Sequence, residues 1–233
     1  MHSKTTRALI GAAVTLTLAG GLAACGDDDT GTNGMDRSNM PMNTTVRGTT
    51  PATGKQIDEA FVRQMIPHHE MAVVMAKSAQ KQAEHQEIKD LADAIITAQE
   101  QEIRELRQIA KSSGFDVGSA GPMMAGDARM MGMDMDDMGM SMRAEDLDGA
   151  SDFDRAFIEM MVPHHRGAIA MAEVELAKGS DPELKTLAKG IIAAQQTEIA
   201  KMRGWYEEWF GKGLDENAPA AGMGEMDHGD HMN

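Results

Sequence analysis

Two stretches of this chain carry the same set of metal-competent side chains. Residues 64–76 read QMIPHHEMAVVMA and residues 160–172 read MMVPHHRGAIAMA. Each places a methionine one turn ahead of a Pro-His-His and a second methionine downstream. The set is Met65, His68, His69 and Met75 in the first copy, and Met161, His164, His165 and Met171 in the second. Imidazole is a borderline ligand and thioether a soft one, a combination that points to a metal-binding repeat.

Helical phase decides whether these groups can act together. At about 100° per residue, Met65, His68, Ala72 and Met75 share the face of Phe61. Val62, Ile66, His69, Val73 and Ala76 cover the adjoining arc. The second copy repeats this, with Met161, His164, Ala168 and Met171 beside Phe157 and His165 beside Ile158 and Val162. Burying four imidazoles without partners is costly, which favours a metal. The four methionines are equally good as core filler, because methionine at helical spacing usually packs.

A further pair of polar groups falls on an apolar stripe in each copy. Gln99 and Glu102 lie among Ile88, Leu91, Ile95, Ile103 and Leu106; Gln195 and Glu198 lie among Leu184, Leu187, Ile191, Ile199 and Met202. One reading makes the Glu or Gln the acceptor for a histidine ring proton, fixing its tautomer behind a metal. The other pairs the glutamates with Arg107 and Arg203.

The elements that position these groups follow from the repeat. Residues 57–109 align without a gap on 153–205, with roughly two in five positions identical. The pattern predicts helices over about 55–83, 86–112, 152–178 and 182–210. Asp181-Pro182 reads as a helix start and Gly179 as a stop. Ser151 with Asp154 resembles a capping box. Two hairpins, 55–112 and 151–211, give an all-α four-helix bundle.

Between the hairpins lies 113–150, rich in Met, Gly and Asp. Of 23 methionines in the chain, nine fall in 121–142: Met123, Met124, Met130, Met131, Met133, Met135, Met138, Met140 and Met142. The segment has no helical or strand period, so core packing is not expected to account for them. They read as an auxiliary thioether loop that captures metal, or as an adaptable surface that docks another protein.

The ends carry a different message. Residues 1–24 have the basic, apolar and small-residue order of a signal peptide. Leu22-Ala23-Ala24-Cys25 resembles a lipobox, with Cys25 as the lipidated residue; an ordinary signal peptide with an incidental cysteine is the alternative. Residues 25–54 read as a tether and 212–233 as a Met- and His-containing tail. The implied location is the bacterial cell envelope, on the outer face of the cytoplasmic membrane. The net charge of −15 makes nucleic acid an unsuitable partner.

Phe61-x-x-x-Met65-x-Pro67-His68-His69, Met75-Ala76 and Gln99-x-x-Glu102-Ile103 together resemble the domain-of-unknown-function family 305. The second copy matches more fully, ending in Met202-x-x-Trp205. The resemblance implies a ferritin-like bundle of the bacterial envelope, associated with copper binding and tolerance through methionine and histidine. The expected function is then copper sequestration, delivery or tolerance, with a copper-accepting or copper-exporting protein as a further partner. Copy one departs at Met71, where copy two has Gly167, and at Gln108-Ile109, where copy two has Gly204-Trp205. No catalytic constellation is recognisable. Di-iron chemistry needs Glu-x-x-His on two helices, and the one such motif, Glu225 to His228, lies in the tail. A cuprous oxidase and a metal-free structural lipoprotein are the alternatives.

Overall fold

A computed structural model describes residues 51–117, 125–134, 136–140 and 144–215. The expected signal peptide, Cys25, most of the tether and most of the C-terminal tail lie outside the described residues. Four long helices carry the fold: α1 (Gly54–Gln82), α2 (Gln86–Ser113), α5 (Phe153–Lys178) and α6 (Pro182–Phe210). Two short ones, α3 (Ala125–Met131) and α4 (Ala144–Leu147), lie in the segment between the repeats. Among the described residues there is no strand, and no helix is long and apolar enough to cross a membrane.

Three of the four long helices, α1, α5 and α6, begin where the sequence supplies a side-chain acceptor. Thr53 caps α1 in a full capping box with Gln56, and Asp181 accepts from the Glu183 and Leu184 amides to start α6 at Pro182. The cap of α5 is Asp152, which accepts from the Arg155 amide, and not the expected Ser151 and Asp154 pair. Asp154 is used elsewhere. Its carboxylate accepts from the Glu84 and His85 amides and from His85 Nδ1, at 3.0, 2.8 and 2.6 Å, tying down the α1–α2 turn. Asp58, its counterpart in the first repeat, accepts from the Ser180 amide and hydroxyl and the Asp181 amide of the α5–α6 turn, at 2.7, 2.5 and 3.2 Å. Each repeat thus holds the other's hairpin turn, a reciprocity that gives the bundle a pseudo-two-fold axis.

The hairpins α1–α2 and α5–α6 pack most extensively, α1 against α5 next, and α2 against α6 sparingly. The apolar stripes therefore converge on α1 and α5. Phe61 and Phe157 are fully buried at equivalent places in two core clusters. Each contributes about 1.5–3 kcal/mol by leaving water. At the far end of α6, Trp205 stacks on Trp209, which stacks on His85 at 3.7 Å between centroids. Ile109, in place of Trp205, leaves the matching α2–α6 seam open as a groove of about 650 Å³.

The segment between the repeats is more ordered than its composition suggests. Met131 and Met138 are fully buried and Met133 nearly so, all in the cluster that contains Phe61. Core packing does account for these three methionines, contrary to the expectation from sequence. The seven residues of α3 are too short to reveal a period. Met130 and Met140 pack partly against the same cluster. Met123, Met124, Met135 and Met142 lie outside the described residues.

Candidate metal centre

The histidines are carried by α1 and α5, which continue through Pro67 and Pro163. All four are buried. Because α1 packs against α5 about the pseudo-axis, His68 meets His164 there, with ring centroids 3.7 Å apart and planes 34° apart. His69 and His165 each turn toward the second helix of their own hairpin. His165 Nε2 lies 2.6 Å from Glu198 Oε2. His69 Nε2 lies 2.7 Å from Glu102 Oε2, at ion-pair distance but poorly aligned for a hydrogen bond. Arg107 pairs with Glu70 at 2.6 Å and leaves Glu102 to the histidine. Gln99 and Gln195 are buried about one turn earlier, with their Oε1 atoms unpartnered.

These contacts settle where ring protons sit. A carboxylate or carbonyl oxygen only accepts, so the nitrogen facing it carries the hydrogen. His68 Nε2 donates to the Met138 carbonyl at 3.0 Å. With neutral rings, Nδ1 of His68 and of His165 is then a bare lone pair. Each of those two Nδ1 atoms is buried without a partner, and so are both nitrogens of His69 and of His164. Orphaned buried polar atoms cost roughly 1–3 kcal/mol each, and their clustering at one place calls for an explanation.

Burial also keeps the central pair uncharged. It pushes His68 down to about 3, helped by the nearby His69. Burial does the same to His164, which lies well below the usual imidazole range, with His68 as the next cause. The pair is therefore unsuited to proton transfer near neutrality and suited to donating lone pairs.

Met65 and Met171 lie in one core cluster, and Met75 and Met161 in the other. Each is buried on its histidines' helix, Met65 and Met161 one turn ahead of them. Among the described residues no three of His, Cys, Asp and Glu converge closely enough to hold a metal ion unaided.

Sequence reasoning missed four contributors. The backbone carbonyl of Met138 carries no residue-type signal. Where the inter-repeat segment meets α5, Gly167 was visible only as a departure between copies, and Gly139, outside the repeat, carried no signal. Glu175, fully buried beside Gly179, replaces Ala79 of the first repeat. Burial, then the adjacent Asp58, pushes its carboxyl up to about 8.

Residues 15–110, 111–206 and 163–233 each match the family described as Domain of unknown function (DUF305). The chain belongs to the DUF305 family. Among solved structures it is similar to CopM in the Cu(I)-bound form, at 35% identity and a TM-score of 0.54, covering 66% of this chain and 98% of that one. A DUF305 fragment from Deinococcus radiodurans is similar at 26% identity and a TM-score of 0.54, covering 67% and 99%. A putative secreted DUF305 protein from Streptomyces coelicolor, at 24% identity, shares the fold with a TM-score of 0.58, covering 67% and 95%. The uncharacterized protein L153 of Acanthamoeba polyphaga mimivirus is 40% identical over 55 residues, 24% of this chain; the match spans 36% of that relative's length. These likenesses agree with the all-α bundle and family read from the sequence.

Proposed function

We propose that this chain is an extracytoplasmic binding protein that holds copper, as Cu(I), or Ag(I) as cargo in the buried centre of its bundle. The observation that carries the reading is the set of uncharged, buried imidazoles at the pseudo-axis with unpartnered nitrogen lone pairs. His68, His69, His164 and His165 would supply nitrogen, and Met65, Met75, Met161 and Met171 sulfur. Glu102 and Glu198 would hold the ring protons behind them, with Gln99 and Gln195 beside them. A shell of few, soft, neutral donors favours a monovalent soft ion over a hard divalent one. The similarity to CopM, solved with Cu(I), Cu(II) and Ag, supports copper or silver as the cargo.

The role is retention and transfer, not turnover. The methionines of the segment between the repeats would assist capture, the partly buried Met130 and Met140 being better placed for it than the buried Met131 and Met138. Residues 1–24 would be removed and Cys25 lipidated, tethering the bundle outside the cytoplasmic membrane, where a copper-accepting or copper-exporting protein could take up the ion. Intact mass measurement of the protein from membranes tests the anchor.

Anaerobic equilibrium dialysis with Cu(I) tests the centre. The wild-type chain should bind stoichiometrically, and the H68A/H69A/H164A/H165A variant should lose that binding. Equal binding by both would refute the bundle as the site. Loss of all binding on deleting residues 121–142 alone would move the site to the segment between the repeats.

A further inference from the structure

Between the repeats, α3 and residues 136–140 pack on the core cluster that contains Phe61, whereas Leu147 of α4 is buried in the cluster that contains Phe157. At one end, Arg63 of α1 grips Asp127 of α3 through two contacts of 2.8 and 2.9 Å. The second repeat has Glu159 at the place of Arg63, and that carboxylate accepts instead from the Tyr206 hydroxyl. At the other end, residues 138–139 lie directly on α5. A Cβ on Gly167 would sit 2.0 Å from the Met138 carbonyl oxygen, and one on Gly139 would sit 2.3 Å from the Pro163 carbonyl oxygen. Gly139 also has φ +65°, which a side chain disfavours. The first repeat has Met71 in place of Gly167, so the equivalent seat there is filled. Two glycines therefore admit one strap, and they admit it where its Met138 carbonyl meets His68.

We infer that residues 136–140 form a one-sided strap whose Met138 carbonyl is the positioning group for His68, holding the proton on Nε2 and presenting Nδ1 to a soft cation. His164, its pseudo-symmetric mate, makes no such hydrogen bond at either ring nitrogen, and the backbone that acts on its ring is that of His68, not the strap. The strap does for His68 what Glu198 does for His165. The two repeats are thereby inequivalent at the axis, although their histidines are identical in sequence. The ligand rests on the copper reading above; the tautomer is a property of the metal-free protein.

The test is ¹H–¹⁵N long-range correlation spectroscopy of the histidine rings in the metal-free chain, followed by Ag(I) titration. The wild-type His68 ring should be protonated at Nε2. G139A and G167A, on opposite sides of the contact, should each release His68 to a tautomer mixture and leave His69 and His165 unchanged. Ag(I) binding should weaken about 10- to 100-fold in both, as for other groups that orient a ligand. M138A keeps the carbonyl and should keep the wild-type tautomer. A His68 ring protonated at Nδ1 in the wild type would overturn the inference. So would an unaltered His68 tautomer in G139A, whose substitution lies on the strap outside the four long helices. Loss of the tautomer in M138A would overturn it too, by moving the role to the thioether. Ag(I) that shifts none of the four rings, with the tautomers as expected, would refute the copper reading while the strap's effect on His68 stood.

Discussion

Replacing His164 by leucine separates a ligand from a structural histidine. Both nitrogens of His164 are buried without partners in the metal-free bundle. Each orphaned group costs roughly 1–3 kcal/mol, and leucine is near enough in volume that repacking should cost less than about 1.5 kcal/mol. His164→Leu should therefore raise the stability of the metal-free protein by about 1–3 kcal/mol at pH 7.5. The gap should widen on acidification. The folded His164 has its pKa depressed by burial, so below the unfolded value of 6.5 the unfolded chain takes up a proton that the folded chain refuses. The stabilising contribution is complete above pH 6.5 and drains away as pH falls, by about 2 kcal/mol per such histidine at pH 5. Wild type loses this for His68 and His164; the variant loses it for His68 alone. Urea denaturation in the presence of chelator at pH 7.5 and 5 measures both effects. In the same assay Ag(I) should stabilise the wild type by mass action and the variant much less. A variant that is less stable than wild type by 1 kcal/mol or more, with an unchanged pH slope, would refute the reasoning: His164 would then be a satisfied core residue.

Other perturbations probe the surroundings of the centre. Glu198→Ala should leave the fold intact and weaken Cu(I) about 10- to 100-fold, measured by competition with a chromophoric chelator, because His165 loses the group that holds its proton. Glu175→Gln should stabilise the protein above pH 4.5. The folded carboxyl stays protonated toward pH 8, so stability is lost as pH rises through that window, and the amide removes a penalty of about 1–3 kcal/mol at pH 7.5. Thermal melts at pH 5 and 7.5 should show the gain only at the higher pH. Asp154→Ala should cost about 2–4 kcal/mol in urea unfolding, since two amides and one imidazole of the α1–α2 turn lose a charged acceptor.

The sequence carried the fold almost completely. The repeat gave the hairpins, the apolar stripes gave the faces, and the four long helices end within a residue or two of the expected positions. The pairing of glutamates with histidines was one of two readings open from sequence. Both Glu102 and Arg107 sit on one helix, and only the neighbouring α1 determines that Arg107 reaches Glu70 and Glu102 reaches His69. Asp58 and Asp154 were legible as identical residues in the two copies, but their acceptor role depends on turns about 120 and 70 residues away. Composition misjudged the methionines between the repeats, because burial of Met131 and Met138 comes from docking against α1 and α5, not from any local period.

What the sequence determined by itself was everything periodic or duplicated: helix faces, hairpins, and the presence of soft donors beside paired imidazoles. Periodicity is a one-dimensional record of which side of a helix meets the core. What only the tertiary structure decided was which histidine meets which. His68 and His164, distant in the chain, come within 3.7 Å, and burial at that contact keeps both uncharged. It also decided that two equal copies become unequal. The Met138 carbonyl reaches His68 and not His164, and the glycines at 139 and 167 admit that contact.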